Sequence, residues 1–366
     1  MRGYYVHFQG RDSIGISKKL DMQIAEFSKH FDMTEIEVDT IPRNLVQRVI
    51  GLFPTASIAR DYEGALQNII DPDFIYVRRT TCDKQYLNFW KTIKERFPNC
   101  KLVIEIFTYP YDKDDFGKWN AWPFLIKEKL YRGKLKKYVD RFVTYSDDKV
   151  IFGVPTIITA NGIDIDSVEV VTGDYQDNTL RMLGVAHLQR HHGYERLIEG
   201  MKEYYKNPID GYKVYLDIVG DGPEKEYYVS LVDKYDLHEY VTFYPTKRGR
   251  DLEDMYVTAD IALVSFGMYK LGVYGRLSAL KSRECLAKGM ALATGCEIDV
   301  IDDAYPYAYI APNDGSTIDI RDMIAFLEIV KKLGSKEDNA KTIRQFAIDN
   351  VSMSKVLAPI VEYVSK

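Results

Sequence analysis

The chain has 366 residues, which is too long for one ordinary core and enough for two domains of ordinary size. Apolar residues make up 46% of the chain and charged residues 28%, a balance that is typical of globular proteins and excludes an extensively disordered chain. The formal net charge of −5 argues against general nucleic-acid binding.

Cysteine spacing and hydropathy indicate the compartment. The chain has four cysteines and no Cys-x-x-Cys pair, and no histidine lies at metal-ligand spacing from any of them. The N-terminal stretch lacks an apolar signal core, and no segment has the apolar length that spans a bilayer. We therefore expect a cytoplasmic protein with reduced thiols, no disulfide framework and no zinc site.

Short apolar runs with β-branched residues alternate with helical stretches through the first half of the chain. The runs that read as strands are GYYVHF (3–8), DFIYVRR (73–79), KLVIEIF (101–107), RFVTYS (141–146) and TIITANG (156–162). Strands that alternate with helices and are apolar on both faces predict a parallel sheet covered on both sides.

The same alternation starts again in the second half. Here the expected strands are LRMLGVA (180–186), KVYLDIVG (213–220), VTFYP (241–245) and DIALVSF (260–266). We predict an α/β protein with two Rossmann-like, doubly wound parallel-sheet domains that face each other across a cleft. The predicted domains are residues 1–168 and 169–348, followed by a closing helix in 349–366 that packs back toward the first domain. Ligands of such sheets bind at the carboxyl ends of the strands.

A glycine-rich turn follows one of these strands. Gly220, Asp221 and Gly222 separate the strand from a helix, and the two glycines would let backbone N–H groups approach a ligand. A dinucleotide fingerprint needs a third glycine, and Lys225 stands in its place. A plain turn explains the same residues.

The stretch SALKSRECLAKGMALATG (278–295) begins a predicted helix with a cluster of charges. Lys281, Arg283 and Glu284 could form a solvated face. They could also bind an anionic ligand that carries neighbouring hydroxyl groups, because helix N–H groups and cations meet phosphate oxygens while a carboxylate accepts two hydroxyls.

The order and spacing of several segments resemble the GT-B-fold retaining glycosyltransferases, the large family that contains bacterial mannosyl- and glucosyltransferases and sucrose synthase. The segments are ANGID (160–164), GVAHLQRHHGYERLI (184–198), IVGDGPE (218–224), YVTADIALV (256–264) and the helix with Glu284. The resemblance covers residues 160–350. Over residues 1–159 it is looser, and IGISKK (14–19), IYVRR (75–79) and EIFTYPYDKD (105–114) are similar to a surface-polysaccharide subgroup.

The resemblance implies roles for residues of the second domain. Glu284 would accept hydrogen bonds from the ribose hydroxyls of the donor, and the first turn of its helix would face the diphosphate. We expect the diphosphate to contact Arg190, His192, Lys281, Ser282, Arg283 and, from the first domain, Gly15. Gly15 can also be read as part of a helix N-terminus with an exposed basic turn.

Two departures from the family pattern affect the sugar and the diphosphate. Arg276 occupies the position of a second glutamate that contacts the sugar in the family, although Gly272 and Gly275 still give a loop able to wrap a sugar. Ala186 and His192 replace the usual Arg and Lys, so other cations must stabilise the leaving diphosphate.

Candidate residues of the first domain lie after two strands. Arg78 is expected to contact the acceptor, although an ion pair with Glu105 explains it equally well. Tyr109 and Asp112 are the expected catalytic residues and Tyr111 a further acceptor contact, since aromatic faces stack on sugar rings and carboxylates accept hydroxyls. A rigid Tyr-Pro-Tyr loop is the alternative.

The segment 127–141 holds seven Lys or Arg and two acidic residues, with Trp119 and Trp122 just before it. An amphipathic helix of this charge could contact anionic lipids at the inner face of the membrane, which would suit a lipid-linked saccharide acceptor. A solvated helix face is the alternative.

Together these features predict a hexosyltransferase, and the resemblance to the retaining glycosyltransferases implies that it retains the anomeric configuration. It would move a sugar from a nucleotide-sugar donor, expected to be a UDP-sugar, to a saccharide acceptor in bacterial capsule, exopolysaccharide or glycoconjugate synthesis, with no cofactor and no metal. His191 and His192 have no carboxylate at metal-ligand spacing. A non-hydrolysing nucleotide-sugar epimerase and a non-catalytic binding subunit remain alternatives.

Overall fold

The computed structural model describes residues 1–8, 14–53, 55–112 and 121–366, with side chains described for all of these except 14–16, 47 and 48. The chain forms two compact units. Residues 1–160 and 356–366 make the N-terminal unit, and residues 161–355 make the C-terminal unit. The chain thus enters the C-terminal unit eight residues before the predicted boundary, and its last residues return to the N-terminal unit.

The N-terminal unit is a seven-stranded sheet in the order β2-β1-β3-β4-β5-β7-β6, parallel except for the β6–β7 pair. β1, β3 and β4 are buried along almost their whole length because apolar side chains point to both faces. Its strands are β1 (Arg2–His7), β2 (Asp32–Glu37), β3 (Phe74–Arg78), β4 (Lys101–Ile106), β5 (Arg141–Thr144), β6 (Val150–Ile151) and β7 (Val154–Ile158).

Helices cover this sheet between the strands. They are α1 (Ile14–Ser28), α2 (Leu45–Ile50), α3 (Tyr62–Asn68), α4 (Lys84–Arg96) and α5 (Trp122–Tyr131), followed by a 3₁₀ helix (Arg132–Lys137). Asp61 and Asp83 cap α3 and α4 by accepting backbone N–H groups of their first turns. The last helix of the chain, which is numbered below, is tied to β4 because the Lys101 ammonium donates to the carbonyls of Tyr363 and Val364 at 3.2 Å.

The C-terminal unit is a six-stranded, fully parallel sheet in the order β10-β9-β8-β11-β12-β13. Its strands are β8 (Thr179–Val185), β9 (Lys213–Val219), β10 (Val241–Tyr244), β11 (Ile261–Leu263), β12 (Ala291–Thr294) and β13 (Ala308–Ile310). The helices are α6 (Glu195–Lys206), α7 (Lys225–Tyr235), α8 (Arg250–Thr258), α9 (Leu280–Lys288), α10 (Ile320–Leu333) and α11 (Lys336–Val351); α12 (Met353–Ser365) closes the chain. The prediction of two α/β parallel-sheet domains is confirmed.

Strand order reverses at one point in each sheet. In the C-terminal sheet, β8 lies between β9 and β11. The strands that follow β8 in the chain, β9 and β10, lie on one side of it, and the later strands β11, β12 and β13 lie on the other side. In open α/β sheets, ligands bind outside the carboxyl ends of the strands at such a reversal. This places the loops after β8 and β11 at the expected binding edge of the C-terminal unit.

Helix α9 is held firmly beside this edge. Arg344 of α11 donates to the carbonyls of Ile165, Val168 and Ala287, which joins the end of α9 to the entry segment of the unit. Among the described residues, no helix combines the length and the apolar character that crossing a membrane requires.

Candidate functional site

The loops after β8 and β11 touch through their backbones. The N–H of Phe266 donates to the carbonyl of His192 at 2.8 Å, and the N–H of Gly267 donates to that of His191 at 3.0 Å. Gly193 has a φ of 64°, and a Cβ there would lie 2.5 Å from the nitrogen of Gly267. Only glycine fits this approach, so the two loops form one rigid floor at the strand-order reversal.

His192 lies buried in this floor. Its Nδ1 lies 2.9 Å from the backbone nitrogen of Gln189 and 3.2 Å from the carbonyl oxygen of the same residue, so this ring nitrogen is engaged within the protein in either tautomer. Burial, together with the positive charge of Lys281, lowers the pKa of His192 to about 3. The ring is therefore neutral at physiological pH, so it brings no positive charge to a diphosphate, and a hydrogen-bond contact between His192 and the diphosphate stays a prediction.

Lys281, in the first turn of α9, carries the most unusual charge of the unit. Its Nζ atom is inaccessible to solvent and has no hydrogen-bond partner in the described part of the chain. Burial lowers the pKa of Lys281 to about 8. The pKa of the neighbouring His191 is also lowered, chiefly by burial and in part by the positive charge of Lys281. A desolvated ammonium without a counter-ion favours an anionic ligand.

The first turn of α9 also offers backbone donors. No side chain caps the helix at Ala279, so the leading N–H groups and the positive end of the helix dipole have no side-chain acceptor. The Ser282 side chain is buried and donates to the carbonyl of Ala279 at 2.7 Å. Ser282 can therefore contribute its backbone N–H to a diphosphate, whereas its hydroxyl is already engaged.

Arg283 is a structural residue, which corrects its assignment to the diphosphate. Its guanidinium is fully buried and donates to the carbonyl of Asn161 at 3.1 Å, to the hydroxyl of Ser278 at 3.0 Å and to Asp299. These contacts join the entry segment of the unit to the start of α9. A charge that is already paired inside the protein has little to offer a ligand.

Glu284 lies three residues after Lys281 and therefore on the same face of α9. Its side chain is half-buried, and within the described ranges its carboxylate makes no hydrogen bond or ion pair. A free carboxylate one turn from a free ammonium can accept hydroxyl groups while the ammonium meets phosphate oxygens. The ribose-binding role of Glu284 stays a prediction that this geometry suits.

The loop between β11 and α9 is open at its tip. A Cβ added at Gly272 or Gly275 would meet no atom within 4 Å, and Arg276 reaches Glu297 at 3.4 Å on the surface. Asn313 holds the inner part of this loop, because its side chain accepts from the N–H of Tyr269 at 2.9 Å and donates to the carbonyl of Val273 at 2.8 Å. The amino-acid sequence did not predict this role of Asn313, whose only signal is its place in a Pro-Asn-Asp-Gly turn.

Arg196 is a second supporting residue that the sequence analysis missed. Although it lies in a helix that reads as amphipathic, its side chain is buried and donates to the carbonyls of Phe266 at 2.6 Å, Pro312 at 3.0 Å and Ser316 at 2.6 Å. It thereby ties the loop after β11 to the loop that carries Asn313. Exposed Arg190, in contrast, has no side-chain bond in the described residues and remains a candidate phosphate contact.

The glycines of the Gly-Asp-Gly turn are required by packing, and the nucleotide-loop role of this turn stays a prediction. A Cβ at Gly220 would lie 1.9 Å from the carbonyl oxygen of Ala186, and one at Gly222 would lie 2.4 Å from that of Leu188. Both glycine N–H groups are already engaged, by the carbonyl of Tyr244 at 3.1 Å and by the exposed Asp221 side chain at 2.7 Å. The plain-turn alternative fits this structure.

In the N-terminal unit, Arg78 belongs to a buried charge cluster. It lies 3.6 Å from Glu105, and Lys19 lies 3.2 Å from the same carboxylate. Burial raises the pKa of Glu105, but the two cations outweigh burial and hold the pKa below its usual value. The ion-pair alternative for Arg78 is confirmed, and its contact with an acceptor stays a prediction.

The Tyr109–Asp112 stretch is largely engaged with the protein. Tyr111 is buried, its hydroxyl donates to Glu128 at 2.7 Å, and the Arg79 guanidinium lies 3.5 Å above its ring, so the ring cannot stack on a sugar here. Asp112 accepts two hydrogen bonds from Arg132, which lowers its pKa and keeps it ionised. Tyr109 is half-buried, and burial raises its pKa.

Two other predictions concern the same unit. Gly15 lies in the first turn of α1, as its alternative reading as part of a helix N-terminus expects, and its contact with the diphosphate stays a prediction. The basic segment is not one amphipathic helix, because α5 ends at Tyr131 and a 3₁₀ helix follows; Trp119 lies outside the described residues. Lys127 is buried and donates to the carbonyl of Ala56 at 2.7 Å, whereas the segment's exposed cations are Lys129, Lys134, Lys136 and Lys137.

No three His, Cys, Asp or Glu side chains within residues 1–8, 14–53, 55–112 and 121–366 come together in a way that could hold a metal ion.

Comparisons with known proteins agree on the fold. Residues 174–271 match the model of a family described as glycosyl transferases group 1. A glycosyltransferase from Rickettsia africae has a TM-score of 0.61 at 12% identity, over 100% of this chain and 97% of that one. The pneumococcal O-GlcNAc transferase, solved with UDP and GlcNAc, has a TM-score of 0.60 at 11% identity, over 100% and 98%.

A third similar structure is an Anabaena protein solved with UDP-glucose, with a TM-score of 0.60 at 12% identity over 100% of this chain and 99% of that one. No curated protein sequence matches the chain. The chain therefore has the GT-B fold. The segment that matches the group 1 model, 174–271, runs from before β8 to the loop after β11.

Gly220→Ala is expected to lower the stability of the C-terminal unit by about 3 kcal/mol, because a Cβ must displace the loop after β8. Gly211→Ala is the matched control, since Gly211 also has a positive φ, 70°, but open space around it; we expect a cost of about 1 kcal/mol. Calorimetric melting measures both. Equal losses in the two variants would show that φ alone requires the glycine and that the close approach does not.

Lys281→Met is expected to stabilise the ligand-free protein by about 3 kcal/mol at neutral pH. The folded pKa of about 8 lies below the usual 10.5, so the charged amine opposes folding, and this cost disappears as the pH rises from about 8 towards 10.5. Thermal melting of this variant and of Lys332→Met, which removes an exposed lysine, measures the difference. A Lys281→Met protein that melts below the wild type would contradict a desolvated ammonium.

Proposed function

We propose that the chain is a retaining glycosyltransferase that moves a sugar from a nucleotide-sugar donor to a hydroxyl of a saccharide acceptor. The observation that carries this proposal is the unpaired, desolvated ammonium of Lys281, with the free carboxylate of Glu284 on the same helix face. The group 1 segment and the similar glycosyltransferase structures support it.

The donor chemistry follows from the charges at the reversal point of the C-terminal sheet. When the sugar leaves, negative charge grows on the diphosphate oxygen, and preorganised donors that face this oxygen lower the barrier. Lys281, the first N–H groups of α9 and, in the tautomer with its proton on Nε2, the ring of His192 are such donors. We propose that they stabilise the leaving group without a metal ion, and that Glu284 holds the ribose.

Two parts of the proposal rest on similarity to known enzymes: the retention of the anomeric configuration and the identity of the nucleotide base in the donor. The resemblance to retaining enzymes implies that the acceptor hydroxyl attacks on the face from which the diphosphate leaves, with the diphosphate itself taking the proton. Two of the similar structures were solved with UDP or UDP-glucose, which favours a UDP-sugar. We propose a hexose as the transferred sugar and a surface saccharide, free or lipid-linked, as the acceptor, bound by the N-terminal unit.

Purified protein incubated with a panel of nucleotide sugars and surface-saccharide acceptors tests the reaction directly. We expect release of nucleoside diphosphate that requires an acceptor, and a glycosylated product of retained anomeric configuration. A sugar epimer formed without acceptor would establish the epimerase alternative. Donor binding without turnover on any acceptor would establish the binding-subunit alternative.

Mutations can test separately the proposed contact of Lys281 with the diphosphate and that of Glu284 with the ribose. Lys281→Met is expected to weaken binding of UDP about 30-fold, since a charge-assisted contact contributes about 2 kcal/mol, and to leave uridine binding unchanged. Glu284→Gln is expected to weaken UDP and uridine alike by about tenfold, and to lose less affinity than the wild type does when the ribose hydroxyls are removed from the ligand.

Isothermal titration calorimetry measures both affinities, with Glu169→Gln, an exposed glutamate of the same unit, as the control. If Glu284→Gln binds uridine as the wild type does, then Glu284 does not hold the ribose. If Lys281→Met loses uridine and UDP equally, then the ammonium does not face the diphosphate.

A further inference from the structure

The N-terminal unit has an open groove between its helices α3 and α4. Its volume of about 360 Å³ lies within the range of pockets that hold small ligands. Residues of α3 form one wall and residues of the first half of α4 form the other, and Ile41, which follows β2, completes the lining. This hollow is called the α3–α4 groove below.

Four polar side chains of the α3–α4 groove are not used by the protein. Glu63 of α3 and Gln85, Asn88 and Thr92 of α4 make no side-chain hydrogen bond or ion pair within the described residues. The three residues of α4 are spaced three and four positions apart, so they lie along one face of the helix. Amide, hydroxyl and carboxylate groups in this arrangement can both donate hydrogen bonds to a ligand and accept them.

Apolar side chains lie between these polar groups and fix the shape of the groove. Ile41 is 48% exposed and Leu66 is half-buried, so both can contact a ligand. The buried rings of Tyr62 and Phe89 also line the groove, and their centroids lie 5.0 Å apart. Because this ring pair joins α3 to α4, the width of the groove is set before any ligand binds, which lowers the entropic cost of binding.

The charges of the groove favour a neutral ligand. Its ionisable side chains include the carboxylates of Asp61 and Glu63 and the guanidinium of Arg60. The guanidinium already donates to the hydroxyls of Thr80 at 2.7 Å and Tyr62 at 3.2 Å, so it is engaged within the protein. Two carboxylates beside one engaged cation repel phosphate and other anions.

A sugar suits this lining better than a peptide does. The walls are helices, whose backbone groups bond within each helix, so the groove gives an extended peptide no strand edge to join, and its polar walls do not match the apolar face of an amphipathic helix. A sugar ring has C–H groups on its faces and hydroxyl groups around its edge. It therefore fits an apolar floor that is bordered by amides and a carboxylate.

One part of the groove adjoins the carboxyl edge of the N-terminal sheet. Arg60 contacts Thr80, which lies just after the end of β3, and Gln85 lies in the first turn of α4, the helix that follows β3. Ligands of open parallel sheets bind at this edge. A ligand in the groove would thus extend away from the edge at which the N-terminal unit is expected to present an acceptor.

We propose that the α3–α4 groove binds a neutral sugar of the acceptor chain that lies beyond the reacting end. Gln85 and Asn88 exchange hydrogen bonds with its hydroxyls, Glu63 accepts from them, and Ile41 and Leu66 contact its C–H face. The assignment rests on the proposed transfer to a saccharide acceptor. It makes oligosaccharides better acceptors than monosaccharides, because only a longer chain occupies the groove and the reacting position together.

An array of neutral and acidic oligosaccharides of different lengths, with their component monosaccharides, tests binding by the full chain. The wild type is expected to bind neutral oligosaccharides, and the double variant Gln85→Ala with Asn88→Ala is expected to bind them at least about tenfold more weakly. Binding of none of the saccharides, or of acidic ones alone, would overturn the proposal.

A matched double variant shows whether the position of the amides matters. Gln67→Ala with Asn99→Ala removes one exposed glutamine and one exposed asparagine of the same unit that do not line the groove. This variant is expected to bind saccharides as the wild type does. Equal losses of affinity in the two double variants would show that the groove is not the site.

Cysteine labelling places the ligand independently of any loss of affinity. The four native cysteines are buried, so a maleimide reports on an added surface cysteine. A saturating oligosaccharide from the array is expected to slow the labelling of Asn88→Cys severalfold and to leave that of Asn99→Cys unchanged. Labelling of Asn88→Cys at an unchanged rate in the saturated protein would overturn the proposal.

Turnover and UDP binding separate this proposal from the proposed reaction. With an oligosaccharide acceptor, the Gln85 and Asn88 variant is expected to raise the acceptor KM about tenfold and to leave kcat and calorimetric UDP affinity unchanged. Groove-dependent saccharide binding in a protein that neither binds UDP nor transfers sugar would refute the reaction and leave the saccharide site. Unchanged acceptor KM values in an active variant would refute the groove alone.

Discussion

A cation without a counter-ion among the described residues, held at the carboxyl edge of the C-terminal sheet, is the feature on which the proposed function depends. Lys281 lies in the first turn of α9, where burial lowers its pKa to about 8 and no protein group in the described part accepts from Nζ. A buried, unpaired charge opposes folding, and structures retain such groups where a ligand completes them. The surrounding architecture can be understood as what keeps this charge in position.

That architecture is built from backbone contacts and buried arginines. The glycines at 193, 220, 222 and 267 let the loops after β8, β9 and β11 approach more closely than a Cβ would allow. Arg196 and Arg283 then join these loops by donating to carbonyls and hydroxyls of neighbouring segments. Since these groups are used within the protein, they fix the geometry of the site and leave Lys281 and Glu284 to meet a ligand.

The sequence predicted the layers of the fold because apolar β-branched runs and amphipathic helices alternate regularly through both halves. It predicted the helix that bears Lys281 and Glu284 because a cluster of charged residues marks the start of that helix. It could not separate Lys281 from Arg283, since both are cations near the same helix start; only the tertiary contacts of Asn161, Ser278 and Asp299 show that Arg283 is already paired.

Local pattern also could not foresee what the glycines and histidines do. A Gly-x-Gly turn after a strand has the same sequence whether its N–H groups face a phosphate or a neighbouring loop, and the loop that Gly220 meets is more than thirty residues away in the chain. Similarly, His192 reads as a cation until its burial and its distance from solvent are known. Residues such as Asn313 act through long-range backbone contacts and leave only a turn signal in the sequence.

Buried cations differ between the two units in whether a carboxylate pairs with them. In the N-terminal unit, Lys19 and Arg78 share the carboxylate of Glu105, so the charges are neutralised inside the protein and the cluster supports the sheet edge. In the C-terminal unit, Lys281 has no such partner among the described residues, although Glu284 lies one turn away and its carboxylate makes no ion pair with any of them. Two opposite charges on one helix face that do not pair leave room for a ligand that carries both an anion and hydroxyl groups, and a nucleoside diphosphate is such a ligand.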